Sequence, residues 1–139
     1  FIDNVSLSVT LFNGTSIPIE INTIPMNEVL KKSDFVSLHV PAQKKYVLGK
    51  KEFTMMKNGA VVVNAARGGV IDEVAMVEAL DSNKLAFAAL DTFENEPKPE
   101  VKLLMHSKIS LTPHIGAATL EAQDRIGEEL ANQIISLLG

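Results

Sequence analysis

Three polar residues stand just past short apolar runs, where buried strands would deliver them to one edge of a sheet: Arg67, Glu96 and His114. Arg67 lies in Asn64-Ala-Ala-Arg67-Gly-Gly69. A guanidinium donates two parallel hydrogen bonds, so Arg is the side chain best matched to a substrate carboxylate. The glycines beside it let backbone approach a ligand closely. Glu96 closes Asp91-Thr-Phe-Glu-Asn-Glu96-Pro97, and the proline restricts Glu96 to extended backbone, which fixes where its side chain leaves the loop. His114, in Thr112-Pro-His114-Ile-Gly116, can give or take a proton near neutral pH. A carboxylate on its second ring nitrogen would orient the ring and favour the imidazolium. Each residue also has a bland reading. Arg67 could be a solvated loop arginine beside a tight turn, and His114 a structural loop histidine. Glu96 taken alone reads better as part of an ordinary acidic loop, because clustered acids usually face water. His39, inside an apolar stretch, reads as structural or cofactor-adjacent, and His106 as a surface residue.

The elements that must position these residues alternate along the chain. Val5 to Phe12 alternates like a strand, Asn13-Gly14 is a hairpin turn, and Ile17 to Ile24 reads as the returning strand. From Pro25 onward helical patterns alternate with buried strands. Pro25 suits a first helical turn, with Met26, Val29 and Leu30 as the apolar face. Phe35–Val40, Ala60–Asn64, Leu85–Leu90 and Ile109–Thr112 read as strands, and Ala60–Asn64 is apolar enough to be covered on both faces. Helices are expected over Gly49–Met56, stopped by Asn58-Gly59, and after Asp72 as a cap. Thr119 should cap a long helix carrying Ala122, Ile126, Leu130, Ile134 and Leu138, roughly 30 Å in length. Strands separated by helices make a parallel sheet, whose right-handed crossovers bring every strand C-terminus to one edge. Ligands of open α/β sheets bind at that edge. Asn64–Arg67, Asp91–Glu96 and Thr112–His114 should therefore converge.

The 139 residues suffice for one compact domain with a core. A net charge of −4 argues against nucleic acid or an anionic membrane as the main partner. No apolar run reaches the roughly 20 residues of a membrane-spanning helix. The absence of cysteine excludes disulfides and thiolate chemistry and fits a reducing cytoplasm. With no HExxH, no Cys/His set and no Asp-rich calcium loop, no metal is expected. A GxSxG elbow, a GxGxxG loop and a Walker A loop are also missing, and the missing loops taken alone argue against a nucleotide enzyme.

Four blocks in order alter that last inference. They are Ser33-Asp-Phe-Val-Ser-Leu-His39-Val-Pro41; Met56-Lys-Asn-Gly-Ala-Val-Val-Val-Asn64-Ala-Ala-Arg67-Gly68; Ala89-Leu-Asp91-Thr-Phe-Glu-Asn-Glu96-Pro97; and Thr112-Pro-His114-Ile-Gly116-Ala-Ala-Thr119-Leu-Glu-Ala-Gln123. From about Pro25 to the C-terminus the chain resembles the D-isomer-specific 2-hydroxyacid dehydrogenases. Its Glu121-Ala-Gln123 is most similar to their phosphoglycerate dehydrogenase branch. The resemblance implies an incomplete, parallel-sheet Rossmann-type α/β domain that binds NAD. It implies that Arg67 holds the substrate carboxylate and carbonyl, that His114 is the acid/base at the C2 hydroxyl, and that Glu96 pairs with His114. It places Asp91 on the nicotinamide carboxamide with Ala65 and Gly116 lining the same region. His39, Val40 and Pro41 become the wall near the adenosine.

The implied substrate is a small 2-hydroxy acid, 3-phosphoglycerate in that branch, and the implied assembly a homodimer or higher homo-oligomer. Glyoxylate or hydroxypyruvate reductases share the triad, as do dehydrogenase-like corepressors that use the fold as an NAD-responsive scaffold. Formate dehydrogenases differ, carrying Gln where Glu96 stands. By the same resemblance, residues 1–139 are the C-terminal portion of the NAD-binding domain. Residues 119–139 form a helix leading back toward a substrate domain outside this sequence. The family's GxGxxG loop and the acidic residue after its second strand are expected before Phe1. In the family's sheet order, 3-2-1-4-5-6-7, strands 1 and 2 are then missing. That would leave a hydrophobic edge at Phe35–Val40, strip the Ile17–Ile24 strand of its neighbour, and make this piece sticky or incompletely folded. Val5–Ile24 is longer and more strand-like than the same stretch in relatives.

Overall fold

Period-two alternation makes the first two elements pair. In the computed structural model, which describes residues 5–138, β1 (Val5–Thr10) and β2 (Ser16–Ile21) form an antiparallel hairpin. The register pairs Leu7 with Ile19 and Val9 with Ile17, which puts aliphatic side chains on one face. On the other face Ser6 Oγ donates to Glu20 Oε1 at 2.9 Å, and the Thr10 and Ser16 hydroxyls meet at 3.0 Å. Both strands are shorter than the sequence pattern predicts. Leu11–Thr15 closes as a turn, with Leu11 N–H on Thr15 O and Gly14 N–H on Leu11 O, and Gly14 takes φ +82°. The ribbon forms a sheet of its own, and its aliphatic face is exposed.

The main sheet follows. In chain order come α1 (Met26–Lys32), β3 (Phe35–Leu38), α2 (Lys50–Met55), β4 (Ala60–Asn64), α3 (Glu73–Asp81), β5 (Leu85–Leu90), α4 (Val101–Leu104), β6 (Ile109–Leu111) and α5 (Leu120–Leu138). The strands lie in the order β3-β4-β5-β6, and all three pairings are parallel. Their carboxyl ends therefore share one edge, as the alternation of strands and helices requires. The core contains Leu30, Phe53, Val62, Met76, Leu80, Leu85 and Leu103, all at most 2% exposed. α3 begins as expected: Asp72 Oδ1 accepts the Ala75 N–H at 2.9 Å, satisfying one of the free donors of the first turn.

Lysines stitch the opposite, amino edge. Lys57 Nζ pairs with Asp34 at 2.9 Å, Lys84 Nζ donates to Met56 O and Asn58 Oδ1, and Lys108 Nζ donates to Leu80 O and Asn83 Oδ1. Each cation sits just before a strand and ties down the helix–strand turn of a neighbouring unit, Lys57 through a carboxylate and Lys84 and Lys108 through carbonyls at helix C-termini, where positive charge is favoured. His106 belongs to this edge. It is not the surface residue its sequence context predicts: its side chain is only 11% exposed, bonded to Asp81 Oδ1 through Nε2 and to the Lys108 N–H through Nδ1.

β3 ends at Leu38, so His39 and Val40 lie past the strand rather than in it. Among the described residues no strand pairs with its outer edge and Phe35 is 74% exposed, the hydrophobic edge expected here where strand 1 of the family's order would otherwise lie. The four-residue α4 is absent from the sequence reading, because one turn is too short to show a period. α5 is capped by Thr119, whose Oγ1 accepts the Ala122 N–H at 3.2 Å, and it carries the predicted stripe. No α5 residue is buried, so Ile126, Leu130 and Ile134 face outward. Among the described residues, no helix is long and apolar enough to cross a membrane.

Candidate active site at the carboxyl edge

The loops after β4, β5 and β6 meet, and side chains tie them together. Asn64, the last residue of β4 and 3% exposed, folds the first loop back on itself. Its Nδ2 donates to Arg67 O at 3.0 Å and its Oδ1 accepts the Ala66 N–H at 3.1 Å, while Asn64 O accepts the Asp91 N–H. This loop then packs directly on the next one. A Cβ built at Gly68 would stand 1.8 Å from Phe93 O, so no side chain fits there. That contact gives the Arg-Gly-Gly sequence a steric reason.

Asp91 fastens the third loop. Its Oδ1 accepts from Thr112 Oγ1 at 2.6 Å and from the Ile115 N–H at 2.9 Å, and its Oδ2 accepts from the Gly116 N–H at 2.8 Å. Burial pushes its carboxyl up, but the bonds from Thr112, Ile115 and Gly116, with the His114 charge, outweigh it and lower the net value. Gly116 is needed here, because a Cβ would lie 2.9 Å from Asp91 Oδ2. Held at both ends, the loop turns sharply: the His114 N–H reaches Thr112 O, and His114 sits at φ +55°. Non-glycine residues with positive φ are uncommon, histidine being among the more tolerant.

So held, the His114 ring meets Glu96. Nδ1 lies 2.8 Å from Glu96 Oε2, while Glu96 Oε1 accepts the Phe93 N–H at 2.9 Å. The His114 bond, then the Phe93 N–H, hold the Glu96 carboxyl below its ordinary value. An ionised carboxylate only accepts hydrogen bonds, so Nδ1 carries the proton and neutral His114 keeps its lone pair on Nε2. The ring side chain is 43% exposed and that of Glu96 35%, so the pair is open to a reactant. A cavity of about 420 Å³ borders it, lined by Phe93, Pro97, Leu104, Leu111 and Pro113.

The sequence-predicted residues thus divide. Glu96 and His114 are in contact. Arg67 is at the same edge but exposed, its Nη1 donating to Ala66 O at 2.6 Å and not to either partner. Ala65, Asn64, Asp91 and Thr112 share a dimple of about 160 Å³ at the strand ends. Gly116 borders Asp91. His39, Val40 and Pro41 lie together past β3, with His39 Nε2 2.8 Å from Ser37 Oγ and Val40 packed on the core. Sequence reasoning missed Glu73 and Glu94, which exchange backbone bonds between α3 and the Asp91–Glu96 loop. It also gave Asn64 and Thr112 no role, although both lie inside the quoted blocks.

Fold and site together define a parallel-sheet nucleotide-binding architecture with a histidine–carboxylate pair at the strand ends. Residues 8–116 match the family model described as D-isomer specific 2-hydroxyacid dehydrogenase, NAD binding domain, and the chain belongs to that family. It is 45% identical over 115 residues to the D-3-phosphoglycerate dehydrogenase of Methanocaldococcus jannaschii, covering 81% of this chain and 22% of that relative. It is 42% identical over 130 residues to a hydroxypyruvate reductase of Thermotoga maritima, covering 90% of this chain and 42% of the other. A glyoxylate reductase structure from Paecilomyes thermophila superposes with TM-score 0.72 at 41% identity, over 81% of this chain and 35% of that one. The chain therefore spans less than half the length of these relatives.

NAD is the family's cofactor, and the residues present fit its nicotinamide end. A carboxylate offers about four acceptor positions. Asp91 uses three on the Thr112–Gly116 loop, leaving one for an amide N–H beside the dimple. The Gly-rich turn that holds a dinucleotide's pyrophosphate is not among these 139 residues.

Proposed function

We propose that this chain is the C-terminal portion of the NAD-binding domain of a D-2-hydroxyacid dehydrogenase, with His114 as the acid/base, Glu96 as its orienting carboxylate and Arg67 as the carboxylate anchor. The observation that carries this is the 2.8 Å His114 Nδ1–Glu96 contact, in a loop fastened by Asp91 at the strand ends. Bound NAD supplies the hydride chemistry. Nε2 of neutral His114 takes the C2 hydroxyl proton in oxidation, and the imidazolium returns it in reduction. Glu96 stabilises that imidazolium and keeps the ring in the tautomer that leaves Nε2 free. Arg67 swings off Ala66 O to fork onto the substrate carboxylate. His39, Val40 and Pro41 border the adenosine.

The favoured substrate is 3-phosphoglycerate, oxidised to 3-phosphohydroxypyruvate for serine biosynthesis, in a cytoplasmic homodimer or higher homo-oligomer. Identity with phosphoglycerate dehydrogenases and the Glu121-Ala-Gln123 block support that choice. Hydroxypyruvate or glyoxylate reduction is the second reading, favoured by the 90% coverage against the Thermotoga enzyme. Initial rates of the complete protein with 3-phosphoglycerate and NAD, and with hydroxypyruvate or glyoxylate and NADH, separate the two. His114→Gln should lower kcat by about 10²–10⁴-fold with little change in cofactor affinity. Arg67→Lys should chiefly raise KM, since an ammonium cannot fork. Near-normal kinetics in both variants would remove the proposed roles.

A further inference from the structure

Outside the triad, two acidic side chains clasp each other's backbone across 21 positions of sequence. The Glu73 N–H donates to Glu94 Oε1 at 3.1 Å, and the Glu94 N–H donates to Glu73 Oε1 at 2.8 Å. Tyr46 O–H adds a bond to Glu94 Oε2 at 3.2 Å. Its own segment is tied down next door, where the Val47 N–H reaches Val70 O at 2.7 Å and the Asp72 N–H reaches Leu48 O at 2.9 Å. Glu73 is only 9% exposed, and its burial, opposed by the Glu94 N–H bond, raises its carboxyl net of that bond. A charge kept in so unfavourable a place calls for a reason, and the Glu94 backbone supplies one. Glu94 directly follows Phe93, whose N–H binds Glu96 and whose carbonyl presses on Gly68 beside Arg67.

Resting on the dehydrogenase reading above, we infer that Glu73 and Glu94 are positioning residues. Their reciprocal clasp sets the Phe93–Glu94 peptide, and through it both the Glu96 carboxylate on His114 and the Arg67 loop. Both carboxylates act at a distance from the reacting atoms, since their bonds go to backbone of α3 and of the Glu96 loop. Removing either clasp frees that peptide to shift, and displacements of about 1 Å in a catalytic array can cost roughly 10²-fold in rate.

The test uses the complete protein and two readouts. Glu94→Ala and Glu73→Ala should each lower kcat about 10- to 100-fold. Each should also move the Glu96 side-chain carboxyl titration, followed by ¹³C NMR, upward toward ordinary glutamate. Glu94→Gln, which keeps an acceptor for the Glu73 N–H, should recover most of both losses. A lowered Tm with unchanged kcat and unchanged Glu96 titration would make the clasp merely structural and overturn the inference. If wild type oxidises no D-2-hydroxy acid, the proposed function falls, and the Glu96 titration still decides the clasp.

Discussion

Gly68 offers a direct way to disturb the site without touching an ionisable group. Its φ is not in the left-handed region, so alanine is acceptable to the backbone, and space alone forbids it. The added Cβ would lie 1.8 Å from Phe93 O and 2.5 Å from Phe93 C, whereas ordinary contact begins at 3.4 Å. The two loops must part by about 1.6 Å, the gap between 1.8 and 3.4 Å. Neither side yields freely. Asn64 holds the first loop through Arg67 O and Ala66 N, and on the second the Phe93 and Glu94 N–H groups are bonded to Glu96 and Glu73. Overpacking of this kind costs about 1–3 kcal/mol. Displacing Arg67 from the Glu96–His114 pair by an ångström or more should cost about 10²-fold in kcat/KM.

Gly69→Ala is the control. It stands at φ +76° with nothing within 4 Å, so its penalty is conformational, about 1–2 kcal/mol, with no loop displaced. Denaturant unfolding and initial-rate kinetics on both variants make the comparison. If Gly68→Ala matched Gly69→Ala in stability and kept wild-type kcat/KM, the packing of the Arg67 loop on Phe93 would not control the site.

Other expectations follow from single side chains. Thr92 Oγ1 is buried without a hydrogen-bond partner among the described residues, so Thr92→Val should stabilise by about 1–2 kcal/mol, read as a higher urea midpoint at unchanged m. Asp91 and Glu96 titrate below their ordinary values when folded, so the unfolded chain binds their protons first as pH falls. Their contribution is complete above the ordinary carboxylate range, about 4, and is lost as pH falls through the depressed folded values. Asp91→Asn should flatten that acid limb in urea titrations between neutral pH and pH 3, and an unchanged limb would count against the loop-fastening role. Isothermal calorimetry of residues 1–139 with NAD should show affinity weaker than micromolar, because contacts at the two ends of the cofactor have no Gly-rich turn between them. Micromolar binding by this chain alone would refute that.

Local pattern carried the sheet. Ala60–Asn64 and Leu85–Leu90 could be bounded residue for residue because each is an apolar run cut off by polar or turn residues. Asp72 and Thr119 declared the starts of α3 and α5, since capping is a local hydrogen bond. That loops 64–67, 91–96 and 112–114 share an edge also followed from order alone, because parallel crossovers have one hand. The Glu96–His114 pairing was readable only by resemblance, and Asp91, expected to face the nicotinamide, spends most of its acceptor capacity on the His114 loop. His106 looked superficial until the fold wrapped α3's end around it. Sequence context assigned no role to Glu73 or Glu94. Nothing in a linear pattern marks a carboxylate that binds a backbone N–H 21 residues away, for such a bond exists only once two loops have been brought together. The sequence by itself determined which strands form and to which edge they deliver their loops, because propensity, capping and crossover hand act over short stretches. The tertiary structure alone decided which loop touches which, because those contacts depend on packing between elements far apart in the chain.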